Sequence, residues 1–262
     1  MSAFAGLGCR QLAGIEDILP ASDASGSDAS GADASKDGSR DASEEHAREA
    51  SATCKKIEVD ASVPALPDAA CPVTGACTPD PLVGFKPTWV PPRAHEKSCT
   101  ATEISDLYDS CFGRAQTMTS CGAWMTANPG CQACVYSSST DTVYGPVITD
   151  AMTSLQTMNL GGCVALLEPC NFECAHGMQA AEQCFQKACG SSCPPVTSQA
   201  TYNQVVACET SAATCPCAAY MALLTQCLDT IAARASPAFT CAQANAIVPA
   251  DFKQMISLFC GE

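Results

Sequence analysis

From Ser98 onward the apolar positions recur with the period of a helix, in several separate stripes. Ile104, Leu107, Tyr108, Cys111 and Phe112 fall at i, i+3, i+4, i+7 and i+8. Thr100-Ala-Thr-Glu103 before them has capping-box spacing, which satisfies two orphan N–H groups at a helix start, and Gly113 is a stop. A second helix through Met118, Cys121 and Met125 should end at the turn signal Asn128-Pro129-Gly130. Further helices are predicted over 172–189, ending at Gly190, and over 200–209, 216–234 and 251–260. The third of these opens on Pro216, acceptable in a first turn, and carries Tyr220, Leu224, Cys227, Leu228 and Ile231. The last carries Phe252, Met255, Ile256 and Phe259. No segment alternates as a strand should, and Val143–Ile148 is ambiguous. The pattern predicts an all-α fold of disulfide-rich helical hairpins or a bundle over residues 98–262.

The chain before Ser98 has no such stripes. Residues 20–62 repeat Asp-Ala-Ser units with almost nothing to bury, so ordering entropy is not offset and a disordered, extended spacer is expected. Residues 63–97 contain Pro64, Pro67, Pro72, Pro79, Pro81, Pro87, Pro91 and Pro92, which favour stiff extended chain. Within it Cys71 and Cys77 are spaced to close a small loop, and Trp89 is expected to dock on the following domain. Residues 1–19 form the remaining segment. There Ala5, Gly6, Leu7 and Gly8 lead into Cys9, which resembles the cut site of a bacterial lipoprotein. The resemblance implies a lipid on Cys9. No Lys or Arg precedes that cysteine, so a translation start further upstream is expected.

Cysteine changes the picture most. The 21 cysteines, against three histidines (His46, His95 and His176), argue for disulfides in an oxidising compartment rather than metal ligation. If Cys9 carries lipid, an even number remains to pair. The spacing C-x9-C recurs at Cys111–Cys121, Cys121–Cys131, Cys174–Cys184 and Cys217–Cys227. Ten residues of helix span about 15 Å, too far for two such cysteines to bond each other when a disulfide needs Cα atoms within about 7 Å. They are suited instead to bridging a partner helix at two levels. The spacing is similar to that of twin C-x9-C helical hairpins, in which two antiparallel helices share two bridges. CAHGMQAAEQC (174–184) and CAAYMALLTQC (217–227) also match in Cys, Ala, Met, Gln and Cys at the same offsets, as two related units would. Antiparallel packing of the two would join Cys174 to Cys227 and Cys184 to Cys217. Bonds to the upstream Cys163, Cys170, Cys208 or Cys215 remain open. Only 41 of the 165 residues from 98 to 262 are Leu, Ile, Val, Phe, Met, Trp or Tyr. Bridges worth about 2–4 kcal/mol each therefore carry much of the expected stability.

Charge excludes some partners. The net charge is −14, and residues 98–262 hold only Arg114, Lys187, Arg234 and Lys253. That is no footprint for nucleic acid or an anionic membrane surface, so membrane contact is expected only through a lipid anchor. Candidate chemistry is sparse. Cys131-Gln-Ala-Cys134 has the spacing of a redox pair without the strand–helix context of one. Cys170, Cys174 and His176, and Cys189-x3-Cys193, are zinc-ligand types, but disulfides explain them without a missing ligand. His176 reads as a solvated helix residue, and Glu168 with Glu173 as two solvated carboxylates. No metal site or cofactor is assigned, and no catalytic residue is identified.

The whole plan resembles cysteine-rich exported lipoproteins of the myxobacterial type: lipid-attachment cysteine, acidic Asp/Ala/Ser linker, disulfide-rich helical domain. The expected function is a non-catalytic binding or interaction domain, either displayed from the outer membrane or extracellular, toward a partner of the envelope or its surroundings. The alternatives are a secreted hydrolase and a metal or thiol-redox carrier.

Overall fold

A computed structural model of the chain describes residues 77–261, apart from residues 114, 234, 235, 239 and 242–247. The expectations for Cys9, for residues 1–19 and for the linker 20–62 fall outside the described residues, as do Cys54 and Cys71. Thr100 opens α1 (Ala101–Leu107) as its spacing predicts. Its hydroxyl accepts from the Glu103 N–H at 3.2 Å, and Glu103 Oε2 accepts from the Thr100 N–H at 2.7 Å. The helix runs on as a π-helical turn, Tyr108–Phe112, and stops at Gly113. All five residues of its predicted stripe are buried.

A second reciprocal cap, Thr117 with Ser120, starts α2 (Met118–Ala127). The buried face of α2 is Cys121 and Trp124, while Met118 at its first position is 78% exposed. The Asn-Pro-Gly turn signal does end α2, but Pro129 then serves as the first residue of α3 (Pro129–Val135), where no N–H is needed. A small sheet follows: β1 (Tyr136–Ser138), β2 (Val147–Thr149) and β3 (Gln156–Met158). β1 pairs with β2 in parallel and β2 with β3 antiparallel, with Ser137, Ile148 and Thr157 in register. β2 lies at the end of the ambiguous segment. Strands of three residues are too short to show alternation, so the sheet is a minor addition to a mostly helical fold.

The other helices are α4 (Leu160–Leu167), α5 (Phe172–Cys189), α6 (Gln199–Thr214), α7 (Ala218–Ala233) and α8 (Pro249–Cys260). α7 begins at Ala218, after a cis Cys215–Pro216 peptide, rather than at Pro216. α5 is the axis of the assembly and packs against α4, α6 and α7. Its inward positions include Ala175, Gly177, Ala180 and Ala181, whose small side chains let neighbours come close. One close approach is at Gly161 of α4, where a Cβ would lie 2.5 Å from the Ala175 carbonyl oxygen. No helix among the described residues is long and apolar enough to cross a membrane.

The proline-rich stretch from Cys77 to Ser98 is extended, as expected, but it is built into the folded unit. It forms a strap along α5 and then across to α8. Asp80 N–H donates to the Ala188 carbonyl (2.7 Å), and Leu82 is buried. Val90 N–H donates to Gln179 Oε1 (2.7 Å), and Gln179 Nε2 donates back to the Val90 carbonyl (3.0 Å). One helical turn away, Gln183 makes the same pair of bonds with Thr88 (2.9 and 2.7 Å). Two glutamines on one helix face thus satisfy alternate residues of an extended chain as a neighbouring strand would. The Arg93 guanidinium donates to the Ala133, Cys134 and Tyr136 carbonyls where α3 ends, the place a cation favours. Cys99 N–H donates to the Cys260 carbonyl at 2.8 Å and closes the strap.

All 18 described cysteines are disulfide-bonded. Cys174 is joined to Cys227 and Cys184 to Cys217, with Cα atoms 5.4 and 5.9 Å apart, so the two repeat helices α5 and α7 run antiparallel and are bridged at two levels. The rule that C-x9-C cysteines cannot bond each other fails at Cys111–Cys121, whose Cα atoms are 4.6 Å apart. The helix ends at Gly113, between the two, and the chain reverses before α2. Cys131 bonds Cys99 and Cys134 bonds Cys260, so the C-x-x-C pair is split between two partners. Cys77 bonds Cys193, 116 residues away, which overturns the expected small loop with Cys71. Cys163–Cys241 and Cys189–Cys208 are further bridges, and Cys170 and Cys215 are bonded as well. Bridging at this density belongs to an oxidising, extracellular environment.

Candidate functional site

Where the strap reaches α8 it leaves a cleft of about 260 Å³. Two non-glycine residues there, His95 (φ 48°) and Lys97 (φ 51°), adopt left-handed backbone on either side of Glu96. Such conformations cost free energy and persist only where surroundings impose them. Here Glu96 N–H donates to the Phe259 carbonyl (3.1 Å), and three residues later Cys99 is bonded to Cys131. The chain is pinned on both sides of the turn, and His95 is carried to the rim.

The cleft floor is apolar: buried Met255 of α8 and Cys163 of α4, the latter bridged to Cys241. Leu167 and Leu258, packed on the core, form the walls. Thr240, Asp251, Gln254, Ser257 and His95 supply polar groups around the opening. α8 makes most of this surface because its residues divide by face. Phe252, Ile256 and Phe259 point into the core, with Phe252 in ring contact with Phe112 (4.5 Å) and Tyr108 (5.5 Å). Asp251, Gln254 and Ser257 lie on the opposite side. An apolar floor with a few polar groups at the mouth suits a small, largely apolar molecule held by its polar end. Ser257, His95 and Asp251 share the rim, but no hydrogen bond joins them among the described residues.

The residues singled out from sequence lie elsewhere. Cys174, Cys184, Cys217 and Cys227 hold α5 to α7, Cys111, Cys121 and Cys131 hold the α1–α3 region, and Cys134 ties α3 to α8. Trp89 docks on the helical unit, edge-on to Phe172 (4.9 Å) and to His176 (6.2 Å). His176 is therefore not a solvated helix residue: it stacks on Phe172 (5.8 Å), and its Nε2 is buried without a hydrogen-bond partner. Glu168 is also tied down, accepting from Asn171 Nδ2. Cys170, Cys174 and His176 form no zinc set, since both cysteines are in disulfides. The cleft itself had no local signal. His95 sits in the proline-rich stretch, and Asp251, Gln254 and Ser257 read as the solvated face of the last helix.

A second hollow is lined by Asp150, Thr157, Glu182 and Glu209. Asp150 has structural partners there: it accepts from the Thr153 N–H (3.0 Å) and hydroxyl (2.5 Å), closing the turn between β2 and β3. Together these features define a disulfide-bonded, mostly helical protein whose described residues form a small amphipathic cleft at the strap. Compared with known protein families, curated proteins and solved structures, the chain gives no match.

Proposed function

We propose that this protein is an exported binding module, tethered to the envelope through Cys9, whose cleft between α4 and α8 takes a small, largely apolar ligand with a polar end. The observation that carries the reading is the composition of that cleft: Met255, Leu167 and Leu258 inside, Asp251, Gln254 and His95 at the mouth. The density of bridges supports it, because it keeps the walls from collapsing in an oxidising medium. The acidic Asp/Ala/Ser linker supports it too, as a spacer that holds the folded unit away from a surface. Its volume, just below the range of ordinary ligand pockets, favours a fragment-sized molecule.

Nile red titration of the purified full chain tests the binding reading. A saturable fluorescence rise with 1:1 stoichiometry is expected, and Leu258→Trp, which fills the cleft, should weaken it at least tenfold with an unchanged circular dichroism spectrum. Equal binding by the variant would place the ligand elsewhere. The tether is tested separately by mass spectrometry of the protein recovered from envelopes, where an unmodified Cys9 would refute it.

A further inference from the structure

Two disulfides abut at the C-terminal end of α5. Cys189 is the last residue of that helix and is bonded to Cys208 in the middle of α6. Cys193, four residues on, is bonded to Cys77 at the start of the described strap. The Sγ atoms of Cys77, Cys193 and Cys208 all lie within 4.8 Å of one another. The fourth sulfur, that of Cys189, is one bond from Cys208. Four sulfurs of two bridges thus share one site.

The two bridges differ in access. Cys77 and Cys193 are each 8% exposed, whereas Cys189 and Cys208 are each 1% exposed. A small thiol from solution meets the outer bridge first. The turn keeps Cys189 and Cys193 together, with Cys193 N–H donating to the Cys189 carbonyl at 3.0 Å. Ser192 Oγ lies 3.9 Å from Cys193 Sγ, close enough to donate weakly to a thiolate formed there. Thiol–disulfide exchange needs an attacking sulfur, a disulfide within contact reach and a leaving sulfur, and all three are present once the outer bridge opens.

We propose that Cys77–Cys193 and Cys189–Cys208 form a thiol-exchange site that captures a small thiol on Cys77 and passes the displaced bond inward. In the first step the incoming thiolate attacks Cys77 Sγ. A mixed disulfide forms, the Cys77–Cys193 bond breaks, and its electron pair leaves on Cys193. In the second step the Cys193 thiolate attacks Cys208 Sγ. Cys193–Cys208 forms, Cys189–Cys208 breaks, and Cys189 leaves as a thiolate that takes up the proton lost by the incoming thiol. Two disulfides are consumed and two are made, so no oxidant or reductant is required beyond the thiol itself. Afterwards the strap keeps the Asp80–Ala188 hydrogen bond but has lost its covalent hold on the end of α5, and Cys77 carries the adduct.

The test uses the oxidised full chain incubated with glutathione, quenched in acid, alkylated with iodoacetamide and mapped without reduction. The expected map has glutathione on Cys77, a peptide joining Cys193 to Cys208, an alkylated Cys189 and an intact Cys184–Cys217 bridge. Alkylated Cys193 beside an intact Cys189–Cys208 bridge would overturn the relay, and so would first attack on any other bridge. Cys77→Ser gives an independent reading, since it leaves Cys193 permanently beside the inner bridge. The free thiol should then be shared between Cys193 and Cys189. A thiol confined to Cys193 would sink the proposal, and if the variant does not fold the wild-type map decides.

Discussion

Replacing Gln179 with leucine should loosen the strap, and the same change at Gln183 should do far less. The two side chains make identical pairs of bonds, to Val90 and to Thr88, at 2.7–3.0 Å. They differ in burial: Gln179 is 3% exposed, whereas the Gln183 pair faces water. Removing the Gln179 amide loses two neutral hydrogen bonds worth about 0.5–1.5 kcal/mol each. Because the Val90 N–H and C=O are then left short of partners where water is largely excluded, the cost rises to about 1–3 kcal/mol per group in place of that net value. The added apolar contact of leucine offsets part of this, so a net loss of about 2–4 kcal/mol is expected. For a folded unit of this size that lowers Tm by roughly 5–15 °C. At Gln183 water replaces both bonds, and the loss should stay below about 1 kcal/mol. Thermal unfolding of the oxidised protein measures the difference, and hydrogen exchange at the Val90 amide locates it. Equal effects of the two substitutions, or unchanged exchange at Val90, would refute the view that burial decides the strength of the clasp.

Gly161→Ala places a methyl 2.5 Å from the Ala175 carbonyl oxygen and 3.1 Å from the Gln179 backbone nitrogen. Backbone cannot swing aside, so α4 and α5 must part, at about 1–3 kcal/mol or more; an unchanged urea midpoint would contradict this. The Tyr136 hydroxyl is buried without a hydrogen-bond partner, and burial raises its pKa well above the usual 10.0. A raised folded pKa contributes stability that is complete below the unfolded value and is lost as pH climbs toward the folded one. Tyr136→Phe should therefore be no less stable at neutral pH, by urea denaturation, and should lose less stability than wild type at about pH 11. Removing the Cys184–Cys217 bridge by paired serine substitution should cost about 3 kcal/mol, since Cys189–Cys208 already shortens the loop it closes to roughly 15 residues. A loss under about 1 kcal/mol by calorimetry would mean the bridge adds little to what the helix pair holds alone.

Much of the helical framework is written locally. A capping residue, a 3.6-residue stripe and a stop signal act within one or two turns, so α1, α5 and α8 are legible from Thr100-x-x-Glu103, from Gly190 and from the Phe252–Phe259 stripe. Pairing of α5 with α7 could also be reasoned from sequence, because repeated motifs with cysteines at both ends meet end to end when helices run antiparallel. The small sheet was not legible, since three-residue strands have no period to read. Nor were Cys77–Cys193 and Cys111–Cys121, because a cysteine's partner depends on where the chain turns back, and spacing alone assumes an unbroken helix. The cleft lay furthest from view. His95 belongs to the strap, Cys163 and Leu167 to α4, and Asp251 and Met255 to α8, and only packing makes them neighbours. Sequence by itself determines what forms through contacts a few residues apart; the strap's seat, the abutting disulfides and the cleft depend on distances between remote segments, which exist only once the chain has packed.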